Sequence, residues 1–290
     1  PEADGCHLVA RLPRRFVFRR TAEGAGAKEQ VVAANIDAVL VVDAIDGRLS
    51  VRHLERYLAL AWQSGATPVV VITKADLASR AEVLERVVVV QRAAPGVAVH
   101  VVSTERGQGL DDLARYLAVG RTAALLGLSG AGKSTLVNHL AKADVLATGE
   151  VRRDGQGRHT TTHRQLVLLP AGGLIIDTPG MRALSIESAG DGVELAFADI
   201  EALSTRCHFP NCSHTAEHDC AVTAAVADGS VNIDRVTSWL HLLQQVPPVN
   251  RDAVRVRLQD RKRRRATAKA DRRAVHNSEP RPPKAGPPTL

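Results

Sequence analysis

Between Asn35 and Leu140, short apolar runs alternate with amphipathic stretches of helical spacing. Ala38 to Val42 is a continuous apolar run, the pattern of a strand buried on both faces. Ser50 to Gln63 follows, with Leu54, Tyr57, Leu58 and Ala61 on one helical face and Gly65 as a stop. The pair then repeats. Pro68 to Ile72 predicts a strand and Ala81 to Ala93 a helix; Val97 to Val102 a strand and Leu110 to Leu117 a helix; Thr122 to Leu126 a strand and Lys133 to Leu140 a helix. This alternation predicts an α/β fold, a mostly parallel sheet with helices on both faces. Sheets of that kind bind ligands at the carboxyl ends of their strands. Leu166 to Leu169 and Leu174 to Ile176, joined across Pro170 to Gly173, predict a hairpin.

After about Leu184 the strand pattern fades. Helical spacing returns at Leu195 to Leu203, Ala221 to Ala227 and Asp234 to Gln245. Residues 31–187 therefore read as the α/β domain and residues 188–250 as a small helical domain. Residues 1–30 form a segment with Arg11, Arg14, Arg15, Arg19 and Arg20, in which His7 to Leu12 reads as one strand. Residues 251–290 read as a basic, proline-rich tail expected to be disordered.

Composition changes the picture in three places. Aromatics are only 3% of the 290 residues, so the core is built from Ala, Val, Leu and Ile. No apolar run reaches the ~20 residues of a membrane span, and the polar first residues carry no signal-peptide pattern. The net charge of +7 favours a polyanionic partner. Eleven Lys or Arg residues lie between Arg251 and Arg273, without aromatics for base stacking, which suits phosphate contacts on RNA; a solvated helix face or a disordered tail is the competing reading.

The candidate chemistry starts at Gly127-Leu128-Ser129-Gly130-Ala131-Gly132-Lys133-Ser134, a strand-to-helix turn with phosphate-loop spacing. Gly127, Gly130 and Gly132 let backbone N–H groups close around phosphate oxygens. The helix that begins here, with Thr135 in its first turn, adds partial positive charge. Lys133 would reach the β- and γ-phosphates, and Ser134 would ligate Mg²⁺.

Other segments follow strands of the same sheet. Thr73-Lys74-Ala75-Asp76 places a carboxylate that can accept from both N1–H and the exocyclic amine of guanine, a donor pair adenine lacks. The Lys74 stem can lie over the base. Ser103-Thr104 can support the base through backbone groups. Asp177-Thr178-Pro179-Gly180 offers a carboxylate for Mg²⁺ and the Gly180 N–H for the γ-phosphate. Gly157 to His163 is a hydroxyl-bearing loop suited to closing on bound Mg²⁺. Taken singly, each segment has a plainer reading, as a helix cap, a turn or a polar loop. Together they form the guanine-nucleotide set in an unusual order, with Asp76 and Ser103 upstream of Gly127. The chain reads as a circular permutation.

Cys207, Cys212, His214 and Cys220 fall within fourteen residues. Three thiolates and one imidazole make a complete tetrahedral donor set, as expected of one structural Zn²⁺. His208 and His218 are further candidates for the fourth place. Cys6 reads as an unremarkable thiol.

These residues resemble a known family, the circularly permuted bacterial GTPases of the RsgA (YjeQ) type. The resemblance runs from about Leu12 to Ala227. It includes Ala33-Ala34-Asn35-Ile36-Asp37, Thr73 to Asp76, Gly127 to Ser134, Gly157 to Thr162, Asp177 to Gly180 and the cysteine cluster. It implies GTP hydrolysis to GDP, stimulated by the small ribosomal subunit during its late maturation, by a cytoplasmic protein that contacts rRNA and no membrane and is read as a monomer. It implies that His159 positions the attacking water, because Met181 cannot. Thr161 or Thr162 would sense Mg²⁺, and Cys207, Cys212, His214 and Cys220 would hold zinc. Family members usually begin with an OB-type barrel, so residues 1–30 read as a remnant of it. Thr73 stands where many GTPases have Asn, which predicts one weakened loop-bracing hydrogen bond. His218-Asp219 replaces the usual Pro-Gly, which predicts altered zinc-loop geometry. The competing readings are a nucleotide-dependent RNA-binding module with little hydrolysis, and a phosphate-loop ATPase or kinase.

Overall fold

The computed structural model describes residues 9–10, 13–14, 16–21, 29–146, 165–177, 190–215 and 217–246. The described residues all belong to one compact unit within residues 1–248, and residues 249–290 lie outside the described residues. Most of the strand read at His7 to Leu12 lies outside them too.

An antiparallel pair, β1 (Val17–Thr21) and β2 (Glu29–Ala34), precedes the main sheet. The sheet contains β3 (Ala38–Ala44), β4 (Thr67–Thr73), β5 (Ala98–Val101), β6 (Thr122–Leu126), β7 (Gln165–Leu168) and β8 (Leu174–Asp177). Their order across it is β5-β4-β3-β6-β8-β7. All neighbours are parallel except β7, which closes the β8 edge as an antiparallel hairpin. Every residue of β3 is buried. Val39 and Val41 point into one core, while Ala38, Leu40 and Val42 point into the other. That is why the run is apolar throughout rather than alternating.

Helix α1 (Val51–Gln63) starts at Ser50, whose hydroxyl accepts from the His53 N–H. Helix α2 (Arg80–Ala93) opens with a reciprocal capping box between Ser79 and Glu82. Helix α3 (Lys133–Ala141) covers the opposite face. Residues Leu110 to Leu117 do not form the expected α-helix; Asp111–Tyr116 is a 3-10 helix. Leu113 within it and Leu110 and Leu117 flanking it are buried, and no side chain caps its start.

The stretch read as one helix at Leu195 to Leu203 is two, α4 (Gly190–Ala196) and α5 (Ala198–Ser204). The break is at Phe197, fully buried, with the Arg235 guanidinium 4.9 Å above its ring. Helices α6 (Ala221–Ala227) and α7 (Ile233–Gln245) complete the described chain. These four helices share a continuous core with α1: Phe197, Val222 and Trp239 join Leu54 and Leu58 in one cluster. Gly192 makes this possible, because a Cβ there would lie 2.0 Å from the Ala59 carbonyl oxygen of α1.

Arg235 of α7 ties the junction together. It donates to the Ala93 carbonyl at the end of α2 (2.5 Å), to the Ala196 carbonyl (3.0 Å) and to Asp199 (2.8 Å). Glu55 of α1 lies 3.8 Å away and is itself buried. Burial pushes the Glu55 carboxyl up to about 7, against the pull of the Ser238 hydroxyl and Arg235. In the unfolded chain Glu55 ionises near 4.5, so between these values the folded state binds the extra proton. Its contribution to stability is therefore full below pH 4.5 and is lost as pH rises through about 7. Denaturant melts of Glu55→Gln are expected to show a shallower fall in stability over that window than the parent chain.

Candidate functional site

The carboxyl ends of β4, β5, β6 and β8 lie at one end of the sheet, and the nucleotide-type segments follow them directly. After β6 the chain turns through Gly127, whose φ of 147° and absent side chain are both required: a Cβ would sit 2.2 Å from the Val42 carbonyl oxygen of β3. Gly130 and Gly132 adopt φ of 75° and 85°, and Gly132 delivers the chain into α3 without a side-chain cap. The N-terminus of α3 thus has no side-chain cap, the kind of helix end suited to anions. Lys133 folds back over the loop, its Nζ donating to the carbonyls of Gly127 (2.9 Å) and Leu128 (2.6 Å). Ser134 is half-buried one residue on, and Thr135 is exposed.

Thr73, at the end of β4, reaches this loop. Its hydroxyl lies 2.7 Å from the Ala131 carbonyl and 3.2 Å from the Asp43 carbonyl. A hydroxyl has one proton, which the shorter contact takes. The loop brace expected to weaken at Thr73 is thus present at ordinary hydrogen-bond length. Beyond it, Lys74 turns the chain at φ 59° into a 3-10 turn, Ala75–Leu77.

That turn brings Asp76 against the segment after β5. Ser103 Oγ donates to Asp76 Oδ1 at 2.5 Å. This bond above all holds the Asp76 carboxyl below its ordinary range, so it stays an acceptor. Thr104 is half-buried next in line. Arg106 went unnoticed in the sequence. Its N–H donates to Ser103 Oγ (3.1 Å) and its guanidinium to the Asp76 carbonyl (3.4 Å). The one available signal was its place between Ser103 and the turn glycines Gly107 and Gly109.

Asp177 ends β8, which lies parallel beside β6, so it shares the sheet edge from which the phosphate loop departs. Gly180, His159, Thr161 and Thr162 lie outside the described residues, as does the rest of the loop from Gly157 to His163.

A second cluster forms between α5 and α6. Cys207, Cys212, His214 and Cys220 bring their ligand atoms within 4.8 Å of one another. Cys207 Sγ is 3.8 Å from Cys220 Sγ, and His214 Nδ1 is 3.5 and 3.6 Å from the same two sulfurs. A tetrahedron with Zn–S of about 2.3 Å and Zn–N of about 2.05 Å has S–S edges of about 3.8 Å and S–N edges of about 3.6 Å. The donor set therefore fits that ion in size as well as chemistry. Burial works against the Cys220 thiolate, yet the Thr223 N–H and the His214 ring bring it down to about 6. Burial and the neighbouring sulfurs push Cys212 up to about 11. Close thiols cannot all ionise unaided, and a cation among them removes that conflict.

Neither spare histidine joins the cluster. His208 packs edge-on against Phe209 at 4.7 Å, and the His218 side chain is 98% exposed. Asp219, standing where glycine is usual, takes φ 56°, and its carbonyl accepts from the His208 N–H at 3.4 Å. Aspartate tolerates this left-handed conformation better than most residues.

A mostly parallel sheet, with its phosphate loop in mid-chain and the base-side segments upstream of it, defines the fold of a circularly permuted P-loop GTPase. The chain belongs to the RsgA GTPase family, whose family model matches residues 11–187. It is 47% identical over 247 residues to a "Small ribosomal subunit biogenesis GTPase RsgA" of Streptomyces avermitilis, covering 84% of this chain and 66% of that protein. A protein of the same description from Streptomyces coelicolor is 47% identical over 238 residues, covering 81% of this chain and 64% of that one. The chain thus spans just under two thirds of the length of these relatives. Two solved structures share the fold. YjeQ from Thermotoga maritima superposes with a TM-score of 0.59 at 22% identity, covering 81% of this chain and 76% of that one. YloQ, described as a circularly permuted GTPase, gives 0.53 at 22% identity, covering 83% and 84%. Among the described residues no helix is long and apolar enough to cross a membrane.

Proposed function

We propose that this chain binds GTP with Mg²⁺ and hydrolyses it to GDP and phosphate, in the late maturation of the small ribosomal subunit. The observation that carries this reading is the Asp76 carboxylate, held by Ser103 on the same sheet edge as the Gly127 to Ser134 loop. A carboxylate kept ionised there selects guanine, and the loop supplies backbone N–H groups for the phosphates. Lys133, now bonded to two loop carbonyls, exchanges them for β- and γ-phosphate oxygens. Lys74, Thr104 and the Thr73 brace position the base and loop. Ser134, Asp177 and Thr161 or Thr162 would hold Mg²⁺, which neutralises charge developing on the phosphates. The Gly180 N–H meets the γ-phosphate. His159 orients a water for in-line attack on the γ-phosphorus, and the bond to the β-phosphate oxygen breaks.

Residues 31–187 make the nucleotide unit and 188–250 the metal-bearing one, with one structural Zn²⁺ at Cys207, Cys212, His214 and Cys220. The basic stretch Arg251 to Arg273 contacts rRNA phosphates. The protein works in the cytoplasm as a monomer. That basic stretch also suits a second reading, a nucleotide-dependent RNA-binding module with little hydrolysis. His159→Ala separates the two. Its multiple-turnover GTP hydrolysis is expected to fall about 10²-fold with GTP affinity retained. An unchanged rate favours the second reading.

A further inference from the structure

His214 occupies an uncommon backbone position. Its φ of 62° is left-handed, a region few non-glycine residues occupy, histidine more readily than most. The group that braces this turn is three residues downstream. Glu217 Oε1 accepts from the Ser213 N–H at 2.6 Å, and Glu217 Oε2 accepts from the Thr215 N–H at 3.1 Å. One carboxylate thus grips the backbone immediately before and immediately after the histidine. Ser213 Oγ and Thr215 Oγ1 close the same turn at 2.7 Å. Hydrogen bonds from Ser213 and the backbone hold the Glu217 carboxyl well below the usual range, so it remains an acceptor through neutral pH.

The consequence falls on the imidazole. With the turn fixed, His214 Nδ1 faces Cys207 and Cys220, and the ring's far side rests against Trp239 of α7, centroids 5.2 Å apart. Trp239 is buried, and its indole N–H donates to Glu201 of α5. The ring therefore has a wall behind it and a fixed backbone beneath it.

We propose that Glu217 is the positioning residue of the Cys₃His metal centre, presenting His214 Nδ1 to the ion through the two backbone N–H groups that flank it. The inference rests on the reading of that cluster as a zinc site. Groups that orient ligands from outside the coordination sphere change metal affinity by about 10–100-fold when removed.

The test uses the full chain with zinc alone, titrated against a chromophoric chelator, and cobalt(II) as a spectroscopic substitute. Glu217→Ala, which removes both acceptors, is expected to weaken zinc binding about 10–100-fold. It should also alter the cobalt d–d bands as the imidazole leaves the tetrahedral field. Glu217→Gln retains one acceptor at the same length and is expected to lie between, so a misfolded alanine variant does not end the test. Parent-like affinity and spectra in Glu217→Gln and any folded Glu217→Ala would overturn the proposal while leaving the metal centre intact. A parent chain that binds no zinc would overturn the metal-centre reading itself, and this proposal with it.

Discussion

Asp76→Asn is expected to lower GTP affinity about a hundredfold and to raise affinity for xanthosine triphosphate. The structure says which end of the new side chain meets the base. Ser103 Oγ donates to Asp76 Oδ1 at 2.5 Å, and an asparagine keeps its carbonyl oxygen there to accept the same bond. Its amide NH₂ then takes the position of the second carboxylate oxygen. Guanine presents its two donors to the two carboxylate oxygens, so at the amide NH₂ donor meets donor and one hydrogen bond is lost. Xanthine presents a carbonyl in place of the exocyclic amine and restores it. The loop is retained, because the Ser103 bond and the Arg106 contacts to Ser103 and to the Asp76 carbonyl do not need the charge. Titration with fluorescent guanine and xanthine nucleotides reads the switch directly. Unchanged preference for GTP would mean that Asp76 does not read the base.

Removing zinc with a strong chelator is expected to unfold the ligand loop within residues 200–222 while guanine nucleotide binding survives. Structural zinc contributes about 10 kcal/mol or more to small domains that need it. The Cys207 to Cys220 loop has little else, since Cys220 is its one fully buried residue among those described. The surrounding helices have more. Phe197, Val222 and Trp239 lie in the core cluster shared with α1, and Arg235 ties α7 to the ends of α2 and α4. The phosphate loop and Asp76 belong to strands that do not depend on the ion. Trp239, in ring contact with His214, should change its fluorescence on chelation. Trp62, packed within α1, should not. A measured loss of GTP affinity in parallel with the Trp239 signal would show that the two regions fold as one.

The sheet was legible because its strands are buried on both faces, and residues such as Val39 to Val42 have no polar alternative. Asp76 and the phosphate loop were legible because their geometry demands particular residue types at particular spacings. The departures share one physical cause, tertiary contacts that local pattern does not carry. Phe197 breaks a helix where its buried ring lies under a guanidinium thirty-eight positions downstream. Thr73 braces the loop because Ala131 lies within reach of a hydroxyl, without the length of an amide. Spacing alone could not choose among three histidines; the choice follows from the left-handed turn at His214, which puts that ring among the sulfurs while His208 turns to Phe209. Glu217 gave no sequence signal, since its work is done on backbone N–H groups.

We propose that small ribosomal subunits set the rate at which this chain hydrolyses GTP. Multiple-turnover GTP hydrolysis, with and without purified small subunits, decides the matter. With subunits present the rate is expected to rise well above the intrinsic one, and the rise to disappear in Asp76→Asn with GTP as substrate. A rate unchanged by subunits would overturn the proposal.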